Sequence, residues 1–256
     1  RPRRSRAVSA SSTKNVGKPP PAAPLTRGTH RVFAAVGRAD GSGVHAGMKS
    51  FTSLTAPLRC CVIGASGGIG AALTASLAAS PDVATVYSLA RRPRGLAQPR
   101  VTPAHIDIVD ETSIAQVATR IRDEGPLDLV ICATGVLHDE QVHPEKRWEA
   151  LTADGLAHAF SIHAIGPTLC AKHFLPVMRT DARSAVASPS ARVGSIEDNR
   201  SGGWYGYRAS KAALNMLVKT LALELARRNP QGICVALHPG TVDTGLSRPF
   251  QRGVAA

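Results

Sequence analysis

The sequence predicts an α/β fold, a parallel sheet wound with helices on both faces, and three observations predict it. A short apolar run at 60–63 enters a turn with glycines at Gly64, Gly68 and Gly70, and an Ala/Leu-rich segment follows. Strand-like and helix-like segments then alternate at spacings that need right-handed crossovers and so a parallel sheet. A long helical pattern beginning at Tyr205 leads into one more short apolar run at 232–237.

The chain has 256 residues, enough for one sizeable α/β domain, placed at 57–256, and a leading segment, 1–56. Of the formal charge of +13, the leading segment holds ten Lys and Arg against the single acid Asp40, and the remainder holds 21 against 17. That segment is rich in Arg, Ser, Ala, Pro and Gly and has neither helical nor strand period, which predicts disorder. Basic, hydroxylated and almost acid-free, it matches an organelle transit peptide, plastid or mitochondrial; read instead as a low-complexity extension, it leaves the protein cytoplasmic. The domain itself is nearly charge-balanced and lacks basic runs interleaved with aromatics, so nucleic acid is not expected as a partner.

The glycine turn comes first. A backbone that folds back on itself against a pyrophosphate has no room for Cβ, and the following helix aims free N–H groups at the anion. Gly64, Ser66, Gly68, Ile69 and Gly70 are the candidate contacts, and a helix is expected over 71–79. The uncharged run 60–81 is long enough to suggest a membrane span, but its four glycines divide it into strand, turn and helix, and no membrane association is expected. The second strand, 83–89, runs into Arg91 and Arg92. At that place an acid would bind a ribose 2′-hydroxyl and arginines accommodate a 2′-phosphate, which favours NADP over NAD; the alternative is two arginines on a surface loop.

A third strand is expected over 101–108, including Asp107 and Ile108, a helix over 111–122, and a fourth strand over 127–132, closed by Ala133-Thr134-Gly135. The segment 152–178 reads as one long helix, kinked or broken by Pro167 and Pro176. A fifth strand over 185–190 contains Pro189, tolerable only at the strand's end. The next helix, from Tyr205 to about Arg228, sets Leu214, Leu217, Leu221 and Leu225 on one face and puts Tyr207 and Lys211 one turn apart. A phenol needs a neighbouring cation to exchange a proton near neutral pH, and Lys211 supplies one; the plainer reading is a solvated helix face. Five cysteines within apolar runs read as buried thiols, and neither they nor the nine histidines show ligand spacing, so no metal is expected.

Taken in order, Gly64 to Gly70, Asp107, Ala133-Thr134-Gly135, Tyr207-x-x-x-Lys211 and Pro239-Gly240-Thr241-Val242-x-Thr244 resemble the short-chain dehydrogenase/reductase family, over residues 58–252. The stretch 190–215 is similar to its C-factor-like branch. The resemblance implies a Rossmann-like sheet binding NAD(P)H and a small carbonyl substrate, aldehyde or ketone. Tyr207 would be the proton donor, Lys211 would hold the ribose and lower the phenol pKa, and a serine would polarise the carbonyl. Ser190 is preferred over Ser195 for that role. Asp107 and Ile108 would contact adenine, Cys132, Ala133 and Gly135 the cofactor, and Pro239, Gly240, Thr241 and Val242 the nicotinamide.

The family also implies a homodimer or tetramer through the Tyr207 helix, and a last helix and strand that this sequence is expected to lack. Two positions depart from its pattern. Cys132 and His163 stand where asparagines are usual, and the second of those asparagines supports a water leading to the lysine. Two functions therefore remain open: an NADP-dependent carbonyl reductase, or a degenerate nucleotide-binding relative acting as a binding or signalling protein.

Overall fold

A computed structural model describes residues 51, 53–93, 98–138, 143–240, 242, 244 and 245. The basic segment through Ser50 lies outside the described residues, as does Thr241. Phe51 and Leu54, which the sequence assigns to the leading segment, pack against the core, and the Phe51 N–H donates to Asp82 Oδ2 at 2.9 Å.

Six strands form one parallel sheet: β1 (Leu58–Ile63), β2 (Val83–Ala90), β3 (Val101–His105), β4 (Leu129–Cys132), β5 (Ser184–Pro189) and β6 (Gly232–Leu237), in the order β3-β2-β1-β4-β5-β6. The chain moves outward from β1 to β3, then returns to lay β4 on the other side of β1. The order thus reverses between β1 and β4, the place where open parallel sheets take ligands beyond the carboxyl ends of their strands.

The strand period of two assigns side chains to two cores. Cys61, Ile63, Tyr87, Leu89, Val130, Cys132 and Val186 face α2 (Glu111–Glu124) and α4 (Gly166–Phe174). Leu58, Cys60, Val62, Val86, Leu129, Ile131, Ala185 and Ala187 face Leu77 of α1 (Gly68–Ala79). The helix α5 (Tyr205–Arg228) packs Leu214, Val218 and Leu225 with Cys234 of β6, so the expected leucine face is buried through Leu214 and Leu225 and half-buried at Leu221.

Several boundaries differ from the sequence reading. β3 stops at His105 because β2 ends opposite it, at Ala90. Asp107 and Ile108 instead form the turn into α2, in which the Asp107 N–H donates to Ser113 Oγ and Asp107 Oδ1 accepts from Val109 N–H. Leu127 precedes β4 and makes one isolated bridge with Met178. The helix after the glycine turn opens at Gly68, taking two of the glycines into its first turn. Pro189 is the last residue of β5, and the N–H of Ser190 closes that ladder on Leu237 O at 2.6 Å.

The single helix expected over 152–178 is four joined pieces: α3 (Ala153–Phe160), a π turn (Ser161–Ile165), α4, and a 3-10 turn (Leu175–Val177). Proline lacks the N–H that a helix interior needs, and the wide turn just ahead of Pro167 absorbs the mismatch. Thr168 Oγ1 donates to the Ala164 carbonyl at 2.7 Å. The same wide turn carries His163 into the protein.

Candidate active site

The mouth at this reversal of strand order is built by glycines. Gly64 has φ +86°, open to glycine at little cost, and a Cβ there would come within 2.9 Å of the Ala133 carbonyl. At Gly70 a Cβ would stand 2.2 Å from the Gly64 carbonyl oxygen, so α1 approaches β1 only because that residue has no side chain. At Gly68 a Cβ would meet Thr244 Cγ2 at 2.6 Å. α1 has neither a side-chain cap nor an acid in its first turn, which leaves its positive end for an anion. A sharp turn, a close backbone approach and close helix–strand packing are what a dinucleotide pyrophosphate requires, and these residues fit one.

Ser66 is exposed and Ile69 half-buried on this turn. Arg91 and Arg92 follow β2 directly, both exposed, with no acid between them and the strand. Cys132 ends β4, and its Sγ lies 3.5 Å from Thr134 Oγ1. The Cys170 thiol beside Cys132 is the chief influence holding the Cys132 thiol below its usual range. The Ala133 N–H donates to Ile63 O at 2.7 Å, and Gly135 is exposed. Pro239 and Gly240 follow β6 and are exposed, with Gly240 at φ +77°. Val242 is half-buried.

Tyr207 and Lys211 stand one turn apart at the start of α5, and Lys211 reaches the end of β5. Lys211 is 5% exposed, and its Nζ donates to the Pro189 carbonyl at 2.8 Å and stands 5.9 Å from the Tyr207 ring centroid. Burial pulls its pKa down to about 8, with the Cys132 thiol opposing. Gly194 lets its 3-10 turn lie against α5: a Cβ there would lie 2.9 Å from the Lys211 backbone. The phenol differs from expectation. Burial raises the Tyr207 pKa, and Lys211, turned to Pro189, does not bring it down.

His163 is 1% exposed and makes two hydrogen bonds. Its Nε2 accepts from the Val136 N–H at 3.0 Å, which places the proton on Nδ1, and Nδ1–H then donates to Ser210 Oγ at 3.1 Å. Ser210 Oγ donates in turn to the Tyr207 carbonyl at 3.0 Å. The imidazole also meets the Tyr207 ring edge to face, with centroids 5.1 Å apart. Burial, followed by the Lys211 charge, drives its pKa down to about 3. His163 is therefore a neutral tether between the loop after β4 and the tyrosine helix, with both nitrogens engaged. Ser210 and the Val136 N–H could not be recognised from sequence, because only the π turn brings them to His163.

The Ser190 hydroxyl is engaged by another side chain. Its Oγ donates to Asn215 Oδ1 at 2.6 Å, and Asn215 stands eight residues beyond Tyr207, about 12 Å along the helix axis. Ser195 Oγ accepts from the Asp198 N–H at 3.3 Å. The open cavity lined by Gly194, Ser195, Ile196, Arg208, Ala209 and Ala212 lies on the other flank of α5 from Tyr207, so it is not part of this site. Among the described residues, no helix is long and apolar enough to cross a membrane, and no group of three or more His, Cys, Asp or Glu is gathered for a metal ion.

Known proteins resemble this chain in sequence and fold. A profile described as short chain dehydrogenase matches residues 59–254. The chain is 39% identical over 130 residues to the C-signal protein of Myxococcus xanthus, covering 49% of this chain and 71% of that relative. It is 32% identical over 147 residues to 1-hydroxy-2-glutathionyl-2-methyl-3-butene dehydrogenase of Rhodococcus sp. (strain AD45), covering 57% of this chain and 60% of that one. Among solved structures, the NADPH-bound carbonyl reductase from chicken fatty liver superposes with a TM-score of 0.66 at 24% identity, over 77% of this chain and 84% of that one, a likeness of fold.

Proposed function

The chain belongs to the short-chain dehydrogenase family of nicotinamide-dependent oxidoreductases, and from that premise we propose that it reduces an aldehyde or ketone with NADPH. The observation that carries the proposal is the buried Lys211, whose Nζ is held on the Pro189 carbonyl at the end of β5 and stands 5.9 Å from the ring of the half-buried Tyr207. When bound, the nicotinamide supplies a hydride to the carbonyl carbon. Gly64, Gly68, Gly70 and the start of α1 would hold the pyrophosphate, Arg91 and Arg92 the 2′-phosphate, and Lys211 the nicotinamide-side ribose.

Tyr207 would give its hydroxyl proton to the carbonyl oxygen as negative charge develops there. Burial suits that direction of reaction, because a phenol held above its usual pKa stays protonated at neutral pH. Lys211 must stay charged to hold a ribose, so kcat/KM should fall as pH rises through about 8. Ser190 would polarise the carbonyl only after releasing Asn215. That engagement favours the second reading, a nucleotide-binding relative without turnover.

The test is NADPH oxidation with a panel of aldehydes and ketones, for the protein and for Tyr207→Phe. Turnover falling by about 10²-fold or more in the variant supports the reductase, and equal rates dismiss it. An unchanged NADPH fluorescence on mixing would dismiss nucleotide binding as well. The transit-peptide reading of the basic leading segment is tested separately: mature protein retaining residues 1–38 removes it.

A further inference from the structure

We propose that Glu145 is a positioning residue that seats Tyr207 by closing the start of α5 from a segment 61 residues upstream. The helix cannot close itself. Its N-cap is Trp204, whose side chain accepts no hydrogen bond from the first turn, and that turn contains no acid. The opening N–H groups of a helix have no partner within it and must find one elsewhere. Glu145 provides two: its backbone carbonyl accepts from the Trp204 N–H at 2.5 Å, and its carboxylate accepts from the Gly206 N–H, at 3.3 Å to Oε1 and 3.2 Å to Oε2. A carboxylate at this end is also favoured by the helix dipole.

The local sequence is shaped to admit it. Gly202, Gly203 and Trp204 are consecutive left-handed residues at φ +61°, +63° and +54°. Glycine adopts that conformation readily, and a tryptophan only with strain. A Cβ at Gly206 would come 2.9 Å from Glu145 Oε1, and one at Gly203 would come 3.4 Å from its carbonyl oxygen. The strained tryptophan has a visible consequence: its ring meets Tyr207 edge to face at 6.2 Å, while His163 meets Tyr207 at 5.1 Å. Arg208 Nε donates to the Gly203 carbonyl at 3.0 Å and holds the bend. Glu145 therefore fixes the backbone on both sides of Tyr205, and with it Trp204, one of the two rings bracketing the phenol.

The inference rests on the reading of Tyr207 as proton donor, and the experiment separates the two. The protein has two tryptophans, and Trp148 lies exposed in a 3-10 turn (Trp148–Ala150), so Trp148→Phe leaves Trp204 as the sole reporter. In that background, Glu145→Ala is expected to increase acrylamide quenching of Trp204 and to lower kcat for carbonyl reduction about tenfold. The KM for NADPH should change less than about twofold, because the nucleotide turn is untouched. Glu145→Gln, whose amide oxygen can still accept from the Gly206 N–H, should restore both readings. Unchanged quenching in Glu145→Ala overturns the proposal whatever the activity. If Glu145→Ala does not fold, Glu145→Asp, one methylene shorter, takes its place; increased quenching supports the proposal and parental quenching overturns it. An inactive parent would instead sink the reductase reading, with the fluorescence still deciding the role of Glu145.

Discussion

Ser190 and His163 show how a side chain's partner decides its chemistry. With its hydroxyl on Asn215, Ser190 is expected to contribute little, and Ser190→Ala should lower kcat far less than Tyr207→Phe; parallel steady-state assays compare the two. His163 makes a prediction about stability. Its native pKa is about 3, against 6.5 in the unfolded chain, because it is buried and faces Lys211, with His158 adding a smaller push. Between those values the unfolded chain binds a proton and the native one does not. The contribution is therefore full above pH 6.5 and is lost as pH falls toward 3, with a limiting slope of about 1.4 kcal/mol per pH unit. Urea unfolding between pH 7 and 5 should show stability falling with a slope that steepens toward that limit, and His163→Asn should flatten it. Tyr207 and Lys211 could be read from sequence because a spacing of four on a helix is local geometry. The partners of Ser190 and His163 could not, because they lie 25 and 47 residues away and meet only after the strands have packed.

The elements that carry the site meet where side chains are missing. Gly70 lets α1 lie on the Gly64 carbonyl, whereas Gly67, the N-cap, has its nearest neighbour 3.4 Å from where a Cβ would be. Gly70→Ala should therefore cost about 1–3 kcal/mol through overpacking and weaken NADPH at least tenfold. Gly67→Ala should stay within about 1 kcal/mol of the parent, the usual size of an N-cap change. Thermal melts and NADPH fluorescence titrations of the pair check both. Strand and helix order was legible because apolar runs of four to eight residues between turn signals leave few alternatives. The division of 152–178 was not. Its prolines announce a disruption, but whether a chain bends, breaks or widens there is decided by what packs beneath it. Here Ile108 stands against Gly166, where a Cβ would come within 2.9 Å.

Across the whole molecule, the two ends of the sheet have different tasks. The carboxyl ends of β1, β4 and β5 hold Gly64, Cys132 and Pro189 beside Lys211, while the amino ends hold a network of charges. There the buried Asp128 accepts from the Arg59 N–H at 2.7 Å, and Arg179 Nε approaches its other oxygen to 3.2 Å. Arg59 Nη2 donates to Tyr87 Oη, which donates to Glu124 Oε2 at 2.6 Å. Asp128 thereby joins the chain at β1, β4 and the approach to β5, five residues along β1 from the glycine mouth, about 17 Å. Removing one partner of a buried pair leaves the other without compensation, so Asp128→Ala should cost about 3 kcal/mol, a large share of a domain's stability. Sites this far apart with no shared partner behave independently. The variant should therefore melt at lower temperature and denaturant while keeping, per folded molecule, the parental NADPH affinity and turnover within about twofold. A matching loss of affinity in the folded variant would mean that the charged end shapes the glycine mouth, and the division of tasks would not hold.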